Sequence, residues 1–224
     1  MPVRGVIFDL DGTLVDTNWQ HVEAWRRAFA ACGHDVPAER IVAEVGKGGD
    51  QLLPSVLGRA AADRDGKKVS RLYTETFKTI AGRERFAVQP GAVDLLDELR
   101  RRGLKTALAT SSPQDLLKAI LASAGVDFTK HVDVTVTADD AGASKPAPDV
   151  VLVAVDKLGL RPEECAMVGD TPFDAEACVR AHVTCWGVAC GGCYTAEQLR
   201  GAGAAAVWGD PADLLDHLDE ALAG

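Results

Sequence analysis

A parallel α/β sheet covered by helices on both faces, with a small all-helical cap inserted after its first strand, is what this sequence predicts. Three observations carry that expectation. The run Gly5–Leu10 is almost purely apolar, has no helical stripe, and has the length of a strand buried on both faces. From residue 90 onward, similar short apolar runs alternate with helical periodicities, the pattern of repeated βα units. Between these regions, residues 17–86 show helical spacing and nothing that reads as a strand.

Taken in order, the expected strands after Gly5–Leu10 are Lys105–Ala109, Val132–Val136, Cys165–Val168, Val183–Val188 and a weaker Ala204–Trp208. The intervening helices are Gly91–Arg101, Pro113–Ala124, Ala147–Leu158, Pro172–Arg180, Ala196–Arg200 and Pro211–Leu222. The core is thus Rossmann-like and discontinuous, made of residues 1–16 and 87–224, with residues 17–86 as the cap. Inside the cap, Trp19, Val22, Trp25, Ala28 and Phe29 form one apolar helical stripe, and both tryptophans are expected in the core. Pro37–Val42 opens a second helix and Gly46–Gly49 interrupts the pattern. Gln51–Leu57 and Val69–Ile80 then resume it. Gln89-Pro90-Gly91 marks the return to the sheet.

The chain has 224 residues, 47% of them apolar, enough to bury a core without disulfide or metal staples. Its net charge of -9 argues against nucleic-acid binding by charge alone. The short N-terminal apolar stretch, interrupted by Asp9 and Asp11, suits neither a signal peptide nor a membrane span, so a cytoplasmic protein is expected. The six cysteines are therefore expected to be reduced. Cys190-Gly-Gly-Cys193 has redox or zinc spacing but lacks a second pair, and reads as a Gly-rich surface loop.

Four segments, each at the end of an expected strand, carry the chemistry. Asp9-Leu-Asp11-Gly-Thr13 places two acids at i and i+2, on one side of an extended chain and at the carboxyl edge where open α/β sheets bind ligands. Thr110-Ser111-Ser112-Pro113 brings hydroxyls to a second strand end. There Ser112 is read as a helix N-cap, Asp115 as its capping-box partner, and the helix start as an anion site. Ser144-Lys145-Pro146-Ala-Pro148 sets one lysine in a turn stiffened by prolines. Asp170-Thr-Pro-Phe-Asp174 adds two more acids. Four carboxylates around one lysine repel one another unless a divalent cation joins them, and all-oxygen ligands favour Mg²⁺. A hard cation together with anion-binding donors points to phosphoryl chemistry.

These four motifs, in this order and spacing, resemble the haloacid dehalogenase-type superfamily of phosphatases, in the subgroup with a helical cap after the first strand; phosphoglycolate phosphatase and β-phosphoglucomutase are similar relatives. The resemblance implies a Mg²⁺-dependent phosphatase of a small phosphorylated metabolite. In it Asp9 is the nucleophile that becomes an aspartyl-phosphate, and Asp11 is the general acid and then base. Thr110 and Lys145 contact the phosphoryl group. Asp9, Asp170, Asp174 and the Asp11 carbonyl bind the metal. Because Asp11 is present, a proton donor that C–halogen cleavage does not need, dehalogenation is discounted.

In the cap, Asp16-Thr17-Asn-Trp-Gln-His21 resembles an arrangement that puts a histidine near the acid/base aspartate, so His21 is a candidate substrate-side residue, against the alternative of a partly exposed helix histidine. Lys47, in a glycine-rich loop, is a second candidate, and Ser111 a third; Asp50 is read as an N-cap. A phosphosugar mutase of the β-phosphoglucomutase type is the alternative function. It is weakened because Gly48-Gly49-Asp50 stands where mutase-like relatives carry an arginine. A phosphonate hydrolase would need a Schiff-base lysine that Lys47 does not clearly supply. A catalytically silent phosphate-binding protein is at odds with the intact motifs. A monomer without nucleic-acid or membrane partners is expected.

Overall fold

The computed structural model describes residues 2–223. Six strands run β1 (Gly5–Phe8), β2 (Lys105–Ala109), β3 (Val134–Val136), β4 (Cys165–Gly169), β5 (Thr184–Val188) and β6 (Ala206–Trp208). They form one sheet in the order β3-β2-β1-β4-β5-β6, every pairing parallel. The apolar runs alternate between two layers because neighbouring residues of a strand face opposite ways. Val6 and Phe8, with Leu108, Val168 and Trp186, enter one layer. Ile7, with Ala107, Met167 and Cys185, enters the other.

The cap helices are α1 (Asn18–Ala31), α2 (Ala38–Val42), α3 (Gly49–Leu57) and α4 (Arg59–Ala81). The core helices are α5 (Ala92–Arg101), α6 (Gln114–Ala124), α7 (Asp149–Leu158), α8 (Pro172–Ala181), α9 (Ala196–Gly201), α10 (Pro211–Asp216) and α11 (Leu218–Ala223). Leu95, Leu96, Leu117, Ile120, Leu214 and Leu218 seat α5, α6, α10 and α11 on one face of the sheet. Val151, Ala154, Ala175, Cys178 and Leu199 seat α7, α8 and α9 on the other. The expected Pro211–Leu222 helix is divided at His217, and β1 and β3 are shorter than the sequence predicts. Among the described residues, no helix is long and apolar enough to cross a membrane.

Register decides where the chemistry sits. Phe8 pairs with both Leu108 and Val168, so the chain leaves β1, β2 and β4 at one level. Asp9, Thr110 and Asp170 therefore meet at a single edge, with Asp9 N–H donating to the Val168 carbonyl at 2.9 Å. This is the point where strand order reverses, the usual ligand crevice of an open α/β sheet.

The cap has its own apolar cluster, including Val22, Trp25, Phe29, Leu52 and Val69. Its base is shared with the core: Phe77, Ile80 and Ala81 of α4 pack in the same cluster as Phe8 and Leu117. The two chain crossings lie side by side, with a Val15–Val88 bridge and Asp16 N–H donating to the Ala87 carbonyl at 2.9 Å. Trp25 is buried as expected, but Trp19 is 53% exposed, because its place on α1 lies off the face that meets α4.

Phe77 is fully buried where cap and core join, stacked on His21 with ring centroids 4.1 Å apart. Phe77→Ala is expected to lower stability by about 3–5 kcal/mol in urea titration. Trp19→Ala should stay within about 0.5 kcal/mol of the parent. Similar losses for both would contradict this packing.

Candidate active site

Asp9 leaves β1 almost completely buried and meets Lys145, whose Nζ lies 2.7 Å from Asp9 Oδ1 and 2.6 Å from Asp174 Oδ1. Asp174 is held from its other side: its Oδ2 accepts the Thr171 N–H at 3.1 Å and the Thr171 hydroxyl at 2.6 Å. The first of these bonds, with the Asp174 N–H donating to the Thr171 hydroxyl oxygen at 3.3 Å, forms the reciprocal cap that starts α8, so one carboxylate both begins a helix and binds the lysine. Asp170 accepts the Thr13 hydroxyl at 2.9 Å and the Asn18 amide at 2.8 Å. Gly12 makes room for this: its φ is +81°, and a Cβ there would lie 2.2 Å from Asp170 Oδ2.

Asp9, Asp170 and Asp174 offer oxygens within 4.8 Å of one another, all buried. Burial, partly countered by Lys145 and reinforced by Asp174, Asp170 and Asp11, pushes the Asp9 carboxyl well above its usual range. Burial and the Asp174 charge likewise raise Asp170 to about 7, against its bonds from Asn18 and Thr13. Three crowded carboxylates facing one ammonium lack positive charge, and the donors are all hard oxygens. The cluster therefore fits a divalent cation of the Mg²⁺ type.

Asp11 lies two residues on, in a different environment. Its Oδ1 accepts the Thr17 hydroxyl at 2.7 Å and meets His21 Nε2 at 2.8 Å. Its Oδ2 accepts the Ser112 hydroxyl at 2.9 Å and the Thr110 hydroxyl at 3.2 Å. Burial pushes Asp11 upward, but His21 and the hydroxyl donors outweigh it and hold the carboxyl at about 2. His21 Nδ1 lies 2.7 Å from the Tyr73 hydroxyl. A hydrogen on Nε2 lets the ring donate to Asp11 Oδ1, and the Tyr73 hydroxyl completes the chain of contacts at Nδ1. Asp11's carboxylate is not part of the Asp9, Asp170 and Asp174 cluster.

Asp9, Asp11, Ser111, Ser112, Pro113 and Lys145 from the core, with Asn18, His21, Trp25, Tyr73 and Val45–Gly49 from the cap, line one cavity with about 60 Å³ of free space. Ser111 Oγ is buried at this wall with no partner. Lys47 lines the cavity too, but its ammonium pairs with Glu44, contacts Ser55 Oγ at 3.3 Å and sits 4.5 Å from the centre of the Phe173 ring. Thr110 lies behind the wall, fully buried, its hydroxyl also accepting the Ser112 N–H at 3.0 Å.

Three sequence expectations need correction. Ser112 does not cap α6: Pro113 holds the N-cap position, and Ser112 turns inward to Asp11. Asp115 pairs with Lys78 of the cap, and the first helical N–H, on Gln114, is taken by Asp139 at 2.9 Å, so this helix start is not an open anion site. Asp50 does not cap α3; its Oδ2 accepts the Ser144 N–H at 3.0 Å, tying the cap to the lysine loop. The close approach needs Gly48, where a Cβ would lie 2.0 Å from Ser144 Oγ. The Cys190–Cys193 loop is more than surface. Its thiols are free and partly buried, and its Gly191 carbonyl accepts the Asn18 amide at 2.9 Å. Asn18 and Tyr73 escaped the sequence reading, and Thr13 and Thr17 entered it only as members of quoted motifs, without a role. The polar pair Thr17-Asn18 opening an amphipathic helix was a local signal for those two, and it reads equally as a cap.

Comparison with known proteins gives this buried acidic site, with its lysine and its helical cap, a family. The family model of haloacid dehalogenase-like hydrolases matches residues 3–182, and the chain belongs to that family. A phosphoglycolate phosphatase of Salmonella typhimurium is 30% identical over 195 residues, 78% of this chain and 77% of the relative. The crystal structure of a hydrolase from Pseudomonas syringae superposes with a TM-score of 0.89 at 36% identity, covering 96% of this chain and 98% of that one. CbbY from Rhodobacter sphaeroides in complex with phosphate gives 0.76 at 26% identity, covering 97% and 99%. The protein is an enzyme, a hydrolase acting on phosphoric monoesters.

The raised Asp170 sets a pH dependence. In the unfolded chain this group loses its proton near 3.8, and in the cation-free folded protein near 7. Between those values the folded state holds more protons, so its stability falls as pH rises. The melting temperature in chelator should drop between pH 5 and pH 7.5, roughly the upper part of that window, and Asp170→Asn should flatten the slope. A melting temperature that climbs across this interval in the parent would contradict the charge balance.

Proposed function

We propose that this enzyme hydrolyses a small phosphomonoester with Mg²⁺, through a phosphorylated Asp9. The observation that carries this reading is the contrast between two carboxylates two residues apart. Asp9 faces Lys145 and the acidic cluster, whereas Asp11 is surrounded by His21 and hydroxyls at the cap. Such paired but unlike environments suit a nucleophile and a proton-transfer group.

Asp9 Oδ1 is bound by Lys145, which leaves Oδ2 to attack phosphorus. As that bond forms, the bond to the leaving oxygen breaks and its electron pair stays with the oxygen, which takes a proton from Asp11. A dianionic phosphate beside Asp11 raises its proton affinity above that of the free enzyme, which equips it as the acid. In the second step Asp11, now a carboxylate, takes a proton from water; the hydroxide attacks phosphorus and Asp9 leaves as a carboxylate. Lys145 stays charged throughout, pushed above the usual lysine range by Asp174 and Asp9 against the opposing effect of burial. Ser111, with its unpartnered Oγ, is placed to donate to a phosphoryl oxygen. Mg²⁺ held by Asp9, Asp170, Asp174 and the Asp11 carbonyl would neutralise the phosphoryl oxygens and keep Asp9 ionised. Residues 17–86 act as a lid pivoting at the paired crossings near Val15 and Val88, which excludes bulk water when closed. The chain acts as a monomer.

Asp9→Asn should abolish p-nitrophenyl phosphate turnover while the melting temperature is retained. Asp11→Asn should lower kcat by about 10²–10⁴-fold. Turnover should stop in chelator and return with Mg²⁺. Near-parental activity of Asp9→Asn, or full activity in chelator after dialysis, would overturn the mechanism.

A further inference from the structure

We propose that the alcohol this enzyme releases is small, neutral and hydroxylated, and that Glu44 enforces this by cancelling the cap's cation at the cavity. The inference rests on the phosphatase reading and deepens it. Among the described residues lining the cavity, the lysines are Lys145 and Lys47. Lys145 is committed to Asp9 and Asp174 and, during turnover, to the phosphoryl group.

Lys47 is committed as well. Its ammonium pairs with the Glu44 carboxylate, contacts Ser55 and rests over the Phe173 ring of the core. Both partners of the pair are largely buried, so solvent screens their attraction little. The pair is neutral overall, and the cap presents no net positive charge to whatever is esterified to the phosphate.

The space available to that group extends into a second cleft of about 320 Å³, which shares Trp25, Gly49, Tyr73, Ser111 and Pro113 with the first. Its other polar side chains are Asp50, Ser70, Thr74 and Ser144, with no lysine, arginine or histidine among the described lining residues. A carboxylate or second phosphate there would face Asp50 without a free cation among the described lining residues, and would surrender hydration for nothing. Neutral hydroxyls exchange their water for hydroxyl and carboxylate partners at little net loss. The geometry selects a polyol or sugar over an acid or a bisphosphate.

The test measures kcat/KM of the full chain with Mg²⁺ on two matched pairs: sn-glycerol 3-phosphate against 2-phosphoglycolate, and glucose 6-phosphate against glucose 1,6-bisphosphate. The neutral member of each pair should be preferred by about tenfold or more. Glu44→Gln frees Lys47 and should raise the anionic-to-neutral ratio by about fivefold or more, a gain that disappears in Glu44→Gln/Lys47→Met. A parental preference for the anionic members, or a ratio unmoved by Glu44→Gln in protein that melts as the parent does, overturns the charge selection alone. Absence of turnover on all four esters and on p-nitrophenyl phosphate overturns the phosphatase reading, and the selection with it.

Discussion

The ammonium of Lys145, buried between Asp9 and Asp174 at 2.7 and 2.6 Å, is the interaction on which the rest of this site depends. Three carboxylates within 4.8 Å inside a protein would otherwise repel one another or take up protons. One fixed cation makes the cluster tolerable without making it neutral. The shortfall leaves Asp9 and Asp170 with raised proton affinities and gives the site its appetite for positive charge. Removing Lys145 itself would leave the three buried carboxylates with no fixed cation, and would be far more damaging than the net worth of either pair implies.

Around that cluster the fold divides labour between two layers. The sheet edge supplies the groups that must not move: Asp9 from β1, Asp170 from the end of β4 and Asp174 from the first turn of α8. Half of the donors to Asp11, Thr17 and His21, stand at or on α1, and the other half, Thr110 and Ser112, belong to the core. Asp11 is therefore held by both layers, whereas Asp9 is held by Lys145 of the core.

The cap loop reaches the core at three places, two of them in the segments that hold Lys145 and Asp174. Asp50 holds the backbone N–H next to Lys145, and the Tyr194 hydroxyl is shared between the Val42 and Val45 carbonyls at 3.0 and 3.1 Å. Phe173, one residue before Asp174, carries the Lys47 ammonium on its ring. The cap loop thus sets charge, backbone and aromatic contacts against the loops after β3 and β4 at once. The cavity left beneath is small and walled by core and cap together.

What the sequence determined by itself was the framework and its chemical edge. Apolar runs of strand length can be buried only in a covered parallel sheet, and the residues that follow such runs must emerge together at one side. Asp9, Asp11, Thr110, Lys145, Asp170 and Asp174 were legible for that reason, and the resemblance to a known family put roles on them. Only the tertiary structure decided what each polar group outside those motifs touches. Ser112, Asp115 and Asp50 carry good local capping signals, yet each is claimed by a partner distant in sequence: Asp11, Lys78 and Ser144. Local periodicity likewise placed Trp19 on the buried stripe, while the position of α4 against α1 leaves it in solvent. A cap needs only its own helix turn, but a hydrogen bond across the hinge needs the whole fold in place. Its energy is decided by burial and by competing charges that no short window of sequence contains.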